Sequence, residues 1–169
     1  MQAAERIYLT PLSEADLDFM LQLTSNRQVT KYLTGLICDK DSLLFWFNSL
    51  TARDREMIIH LTATGERIGE CSMTISKDGR SAEIGYMLLP EYWNHGYGTA
   101  TANILVEMAV SSGIEQVTAA TSPDNIASIR ILQKSGFVQR QSGWLLNDGS
   151  GDVGIQIAFF VRNCLEPKS

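Results

Sequence analysis

Apolar and polar positions alternate with two distinct periods along this chain, and the changes of period mark its elements. Glu5 to Thr10 alternates as a short strand that Pro11 ends. Ser13 to Asp16 (S-E-A-D) resembles a capping box, with Asp where Glu or Gln is usual. Leu17, Met20, Leu21 and Thr24 then fall on one helical face. A short helical piece around Val29 to Leu33 is interrupted at Gly35. Asp39 caps a further predicted helix, with Leu43, Phe47 and Leu50 on a stripe and Trp46 near its edge. Spacing assigns Phe45, Trp46 and Phe47 to core packing.

From Glu56 the period becomes two. Met57 to Ala63, Arg67 to Ile75 and Ala82 to Leu89 are strand candidates, joined by Thr64-Gly65-Glu66 and Lys77-Asp78-Gly79-Arg80. These short turns offer glycine for positive φ, so the three strands form an antiparallel meander. Gly98 to Ser112 reads as a helix stopped by Gly113, Gln116 to Thr121 as a strand, and Ile126 to Ser135 as a helix closed by Gly136. Phe137 to Leu146 and Val153 to Arg162 form a last hairpin around Asn147 to Gly151. The order implies an α+β or mixed α/β fold, with helices packed on a largely antiparallel sheet.

Composition adds exclusions. The 169 residues are 44% hydrophobic and 20% charged, the balance of a soluble globular protein, and one domain over 1–169 is expected. No apolar run approaches the roughly 20 residues of a membrane span. The first residues lack the basic and apolar regions of a signal peptide. Cys38, Cys71 and Cys164 are scattered outside any metal-binding spacing, which predicts a cytoplasmic protein with neither disulfides nor a metal site. A net charge of −5 without a Lys/Arg cluster disfavours nucleic acid and tolerates a cationic amine.

Candidate chemistry concentrates between Ser81 and Ala100. An apolar strand carrying Glu83 ends at Pro90, and Gly96-Tyr97-Gly98 opens a helix. Strand, glycine turn and helix N-terminus make an anion site, because unpaired N–H groups converge there. Thr101 stands where a dinucleotide fingerprint needs Gly or Ala, and no Lys-Ser/Thr pair follows the glycines as in a nucleotide loop. Asn125 and Ser128 lie in the first turn of the next helix, where Asn125 can serve as its N-cap. His60 and Cys71 read as structural, and His95 as part of the anion turn.

Together, R-I-Y-L-T-P-L (Arg6 to Leu12), A-E-I-G-Y-M-L (Ala82 to Leu88), the Pro90 to Ala102 stretch, and Asn125, Ser128, Leu132, Lys134, Gly136 and Phe137 resemble the GNAT superfamily of acyl-CoA N-acyltransferases. The likeness spans nearly the whole chain and is strongest to the ribosomal-protein N-terminal alanine and serine acetyltransferases. It implies a mixed sheet of about seven strands, splayed at its centre and flanked by helices. It also implies acetyl-CoA as cosubstrate and an amine acceptor, either a protein N-terminus or a small molecule, with a homodimer as an open assembly state. The resemblance places the pyrophosphate on His95, Gly96, Tyr97, Gly98 and Thr99, and the pantetheine arm along Met87, Leu88 and Leu89. Asn125, Ser128 and Lys134 complete its cofactor contacts. Acceptor choice falls to the segment near Asn26 to Asn48 and to the final hairpin.

Two departures stand out. Trp93 opens the loop where most of the superfamily has Gln or Arg, and the residue near Leu132 that elsewhere is a thiolate-protonating tyrosine is apolar here. Ser128 becomes the candidate proton donor. Glu83 is the candidate base, since partial burial beside the thioester would favour a carboxylate that accepts a proton. The rival reading is a non-catalytic acyl-CoA-binding or sensing module.

Overall fold

A computed structural model describes residues 6–33, 39–145 and 155–164. It contains seven strands: β1 (Ile7–Pro11), β2 (Asp54–Leu61), β3 (Arg67–Ile75), β4 (Ser81–Leu88), β5 (Gln116–Thr121), β6 (Val138–Leu145) and β7 (Ile155–Asn163). The helices are α1 (Leu17–Ser25), α2 (Lys40–Ser49), α3 (Tyr97–Ser111) and α4 (Ile126–Lys134). The strands form one sheet in the order β1-β2-β3-β4-β5-β7-β6, in which only the central β4·β5 pair is parallel. The expected mixed, mostly antiparallel architecture is therefore present. The turn expected at Asn147 to Gly151 and the break at Gly35 lie outside the described residues.

Local chemistry sets the boundaries much as the sequence predicts. Gly65 and Gly79, both at φ 72°, turn the meander, while Gly113 and Gly136 end α3 and α4 in the left-handed region. Asp39 caps α2 by accepting from the Ser42 N–H at 2.8 Å. The Ser13–Asp16 box forms, with Ser13 N–H and Oγ–H donating to Asp16, but it opens a single 3₁₀ turn ahead of α1.

Both faces of the sheet are covered. On one, Ile59, Cys71, Met73, Ile84, Leu88 and Val117 pack with Leu105, Val106 and Ala109 of α3 and Leu132 of α4. On the other, Ile58 and Leu89 join Leu17, Met20 and Leu23 of α1 and Leu43 of α2. Trp46 and Phe47 join this second core, but Phe45 is 78% exposed. Its neighbours take the buried stripe and the 100° helical step turns it outward.

The second face also hides an acid pair. Glu70 of β3 is 4% exposed, lies opposite Ile58 and Met87 in the strand register, and its carboxyl is hydrogen-bonded to that of Glu56. Burial, and then the Glu56 carboxyl, push Glu70 well above the usual carboxylate range, so Glu70 keeps its proton and donates to Glu56. Native Glu70 therefore holds a proton that the unfolded chain releases as pH rises past its ordinary value near 4.5. The stability this contributes is complete below that pH and declines as pH rises toward the native value. In thermal unfolding from pH 4 to pH 8, Glu70→Gln is expected to flatten the fall in Tm that the wild type shows over this range. Parallel Tm–pH curves would contradict the pairing.

Candidate active site

The site begins where the sheet comes apart. β4 and β5 pair at only three positions, Ser81↔Gln116, Ala82↔Val117 and Glu83↔Thr118. Beyond Glu83, β4 stays with β3 as far as Leu88, while β5 stays with β7 as far as Thr121. The edge of β4 from Ile84 to Leu88 is left facing a gap. Ser81 accepts from Ser76 N–H, and Leu89 N–H donates to Ile68, so odd-numbered residues of β4 direct their main-chain groups toward β3. By the same alternation, those of Ile84, Tyr86 and Leu88 point into the gap. This corrects the expectation that Met87, Leu88 and Leu89 all offer main-chain pairing there, because only Leu88 does. Its carbonyl is already taken by the Trp93 indole N–H at 2.8 Å. Gly69 of β3 permits the β3·β4 approach; a Cβ there would sit 2.3 Å from the Met87 carbonyl oxygen.

At the end of β4, Pro90–Tyr92 makes a 3₁₀ turn, Asn94 takes φ 62°, and Gly96 takes φ 83° as the N-cap of α3. A glycine cap has no side chain to satisfy the first-turn N–H groups, so those of Tyr97, Gly98 and Thr99 stay open to an anion. Gly98 differs from Gly96: a Cβ on it would lie 2.6 Å from Ile131 Cδ1, so a side chain there would make the tip of Ile131 on α4 shift. His95 is exposed, with its ring tilted against Tyr97. Its carbonyl accepts from Arg6 Nη2 at 2.7 Å, and the Arg6 guanidinium lies 5.0 Å from the Tyr97 ring centroid. Arg6 thus clasps the turn from the start of β1.

On the far side of the gap, Asn125 caps α4 by accepting from Ser128 N–H at 3.2 Å. The Ser128 hydroxyl lies 3.1 Å from the Tyr86 hydroxyl of β4, a contact spanning the opening. Burial pushes the Tyr86 phenol up to about 12, with the Ser128 hydrogen bond acting weakly the other way. Lys134 is exposed at the other end of α4, roughly 9 Å along the helix axis from Ser128.

Glu83 stands at the last β4·β5 pair, beside Thr118 and Thr74. It is exposed, so the partial burial expected of it does not occur. The short side chains on either side of Glu83 leave its carboxylate open to solvent. Its strand face is the one carrying Glu56 and Glu70, since Thr74, Ser72 and Glu70 lie opposite Glu83, Gly85 and Met87 in turn. His60 is structural, bonded to Thr10 and the Gly65 carbonyl and stacked on Tyr8. Cys71 is buried and held far above its usual thiol range, which removes it as a nucleophile. Among the described residues there is no group of three or more potential metal ligands, and no helix is long and apolar enough to cross a membrane.

Two functional candidates escape the sequence. Arg6 and Tyr86 gain meaning only from partners 89 and 42 residues away. Glu70 does carry a signal, as the single charge inside the apolar run I-G-E-C-S-M.

The chain matches the acetyltransferase (GNAT) domain family over residues 6–138. It is 30% identical over 142 residues to the uncharacterized N-acetyltransferase YoaA of Bacillus subtilis (strain 168), covering 79% of this chain and 80% of the relative. It is 28% identical to the uncharacterized N-acetyltransferase p20 of Bacillus licheniformis, over 96% of this chain and 94% of that protein. Among solved structures, spermidine N-acetyltransferase from Vibrio cholerae, in complex with CoA and spermine, superposes with a TM-score of 0.80 at 19% identity, over 94% of this chain and 96% of that one. A GNAT-family acetyltransferase from Bacillus anthracis gives 0.81 at 18% identity, over 95% and 96%.

The Arg6 clasp yields a test. By the pyrophosphate placement that the GNAT resemblance implies, Arg6→Ala is expected to weaken CoA binding by roughly tenfold, the equivalent of about 1.4 kcal/mol, as the turn loses its carbonyl and aromatic contacts. Arg6→Lys should not restore both, because an ammonium lacks the planar fork. Titration calorimetry with CoA reads this, and an unchanged affinity would refute the clasp.

Proposed function

This chain belongs to the GNAT acetyltransferase family and is an N-acetyltransferase, and we propose that it carries an acetyl group from acetyl-CoA to a primary amine by direct attack within a ternary complex. The carrying observation is the coincidence, on one side of the molecule, of a parallel strand pair that parts after Glu83 and a helix N-terminus capped by glycine. Acetyl-CoA enters as a substrate. Its pyrophosphate rests on the open N–H groups from Gly96 to Thr99, with His95 supplying backbone to the turn. Its pantetheine arm lies along β4 as an added strand, using main-chain groups of Tyr86, since the Leu88 carbonyl is taken by Trp93. Met87 and Leu89 support it from the opposite face, and Asn125 and Lys134 flank it from α4.

The chemistry has three tasks. The acceptor ammonium must lose a proton, the thioester oxygen must be stabilised as charge develops, and the sulfur must leave. Glu83, at the apex of the gap, takes the proton directly or through water. The Leu88 N–H is oriented toward the gap and serves the oxyanion. Ser128 donates a hydrogen bond to the departing sulfur. With a free amine as nucleophile, no cysteine intermediate is needed.

For the acceptor, the motifs between Pro90 and Phe137 favour a protein N-terminus, as in the ribosomal-protein branch. The likeness in fold to a spermidine acetyltransferase and the acidic face holding Glu83 favour a polyamine. Assaying CoA release with peptides of varied first residue alongside spermidine and other small amines separates the two. Within the same assay, Glu83→Gln is expected to lower kcat by roughly 10²- to 10⁴-fold, the usual worth of a general base, while acetyl-CoA affinity stays near wild type. Undiminished kcat would remove Glu83 from the mechanism.

A further inference from the structure

The hydrogen bond across the gap has an orientation that burial and chemistry fix. Tyr86 is tethered to β4, packs into the α3–α4 face of the core, and has its hydroxyl 3.1 Å from Ser128 Oγ. One of the two must donate. A mostly buried phenol that does not donate strands its only hydrogen, at the cost of an unmade bond. Ser128 has alternatives, because its hydroxyl is a rotor on an only half-buried helix turn beside an open cleft.

We propose that Tyr86 is a positioning residue for acetyl transfer: its O–H donates to Ser128 Oγ and thereby turns the Ser128 hydrogen away from β4 and into the gap, toward the departing sulfur. The Tyr86 side chain touches neither the thioester nor the amine and acts through Ser128 alone. This rests on the acetyl-transfer reading above. It also answers how a chain with an apolar residue near Leu132 manages the leaving group: a tyrosine reaches it from the strand, with a serine between.

The step is hydrogen bonding rather than proton relay. When the tetrahedral adduct collapses, the C–S bond breaks and its electron pair stays on sulfur. The chain Tyr86 O–H···Ser128 O–H···S⁻ stabilises that charge, and each bond polarises the next. Tyr86 keeps its proton, because a phenol raised to about 12 is a far weaker acid than an ordinary thiol near 8.5. Solvent supplies the thiol proton as CoA leaves, so no tyrosinate forms and atoms and charge balance without another reactant.

A double-mutant cycle tests this. Tyr86→Phe removes one oxygen and keeps the ring that packs in the core. Wild type, Tyr86→Phe, Ser128→Ala and the double variant are compared for CoA release with the best amine from the acceptor screen, alongside acetyl-CoA binding by calorimetry. Expected are a roughly tenfold loss of kcat for Tyr86→Phe and a loss at least as large for Ser128→Ala. KM for acetyl-CoA should stay within about twofold, and the double variant should be no slower than Ser128→Ala. A packing role would instead let the Tyr86→Phe loss multiply with that of Ser128→Ala, and that result overturns the proposal. So does wild-type kcat in either single variant. A wild-type protein that binds acetyl-CoA but releases no CoA with any amine overturns the acetyl-transfer reading and this proposal with it. An active wild type with an unaffected Tyr86→Phe overturns the proposal alone.

Discussion

Everything in this molecule turns on a parallel strand pairing that stops after three residue pairs. β4 and β5 share a ladder from Ser81 to Glu83 and then follow different neighbours, β4 holding to β3 and β5 to β7. Both outer pairings are antiparallel, β4 with β3 over seven residue pairs and β5 with β7 over six, so each half of the sheet holds together without the central contact. Twist accumulates across each half, and the short parallel seam is where the two can diverge. A gap in a sheet ordinarily strands backbone donors and acceptors. Here the Trp93 indole bonds the Leu88 carbonyl, and the Tyr86–Ser128 contact bridges the opening through side chains.

The framework was legible because its signals are local. The Gly65 and Gly79 turns, the Asp39 cap and the stops at Gly113 and Gly136 each depend on a few consecutive residues, and each occurs where the sequence implies. Element edges shifted slightly. β2 begins at Asp54, two residues before the period change, and α3 begins at Tyr97, because Gly96 rather than Gly98 is the cap. Two equal-looking glycines therefore serve unequal ends, one conformational and one steric. Nothing in G-Y-G distinguishes them without Ile131 in view.

The site was legible to a lesser degree, for a physical reason. Residue type and spacing located the glycine turn that opens α3, Asn125 as a cap and the β4 edge. They could not give the hydrogen-bonding parity of that edge, which depends on the register with β3 and excludes the Met87 and Leu89 main chain. Nor could they give burial. Glu83 interrupts an apolar strand much as Glu70 does, yet Glu70 is enclosed under α1 and α2 while Glu83 remains in solvent. The difference comes from what lies across the sheet: Ile58 and Met87 flank Glu70, whereas Thr74 and Thr118 flank Glu83.

The gap also changes what the two faces of the sheet can do for each other. In a continuous sheet, side chains on opposite faces are separated by the backbone layer and cannot serve one reaction centre. Here the hydroxyls of Tyr86 and Ser128 belong to the α3–α4 side, and the Glu83 carboxylate and the hydrogen-bonded Glu56–Glu70 pair to the α1–α2 side. Opening the seam beyond Glu83 joins these compartments through a slot lined by main-chain groups of Ile84, Tyr86 and Leu88. On the acetyl-transfer reading, a thioester threaded into that slot would present its carbonyl carbon to an amine arriving past Glu83 and its sulfur to the hydroxyls. Proton removal and leaving-group stabilisation make opposite electrostatic demands, one favouring negative charge nearby and the other opposing it. With Glu83 on one face and the hydroxyl donors on the other, the proposed reaction can meet both demands within one site, because the β4·β5 ladder ends early.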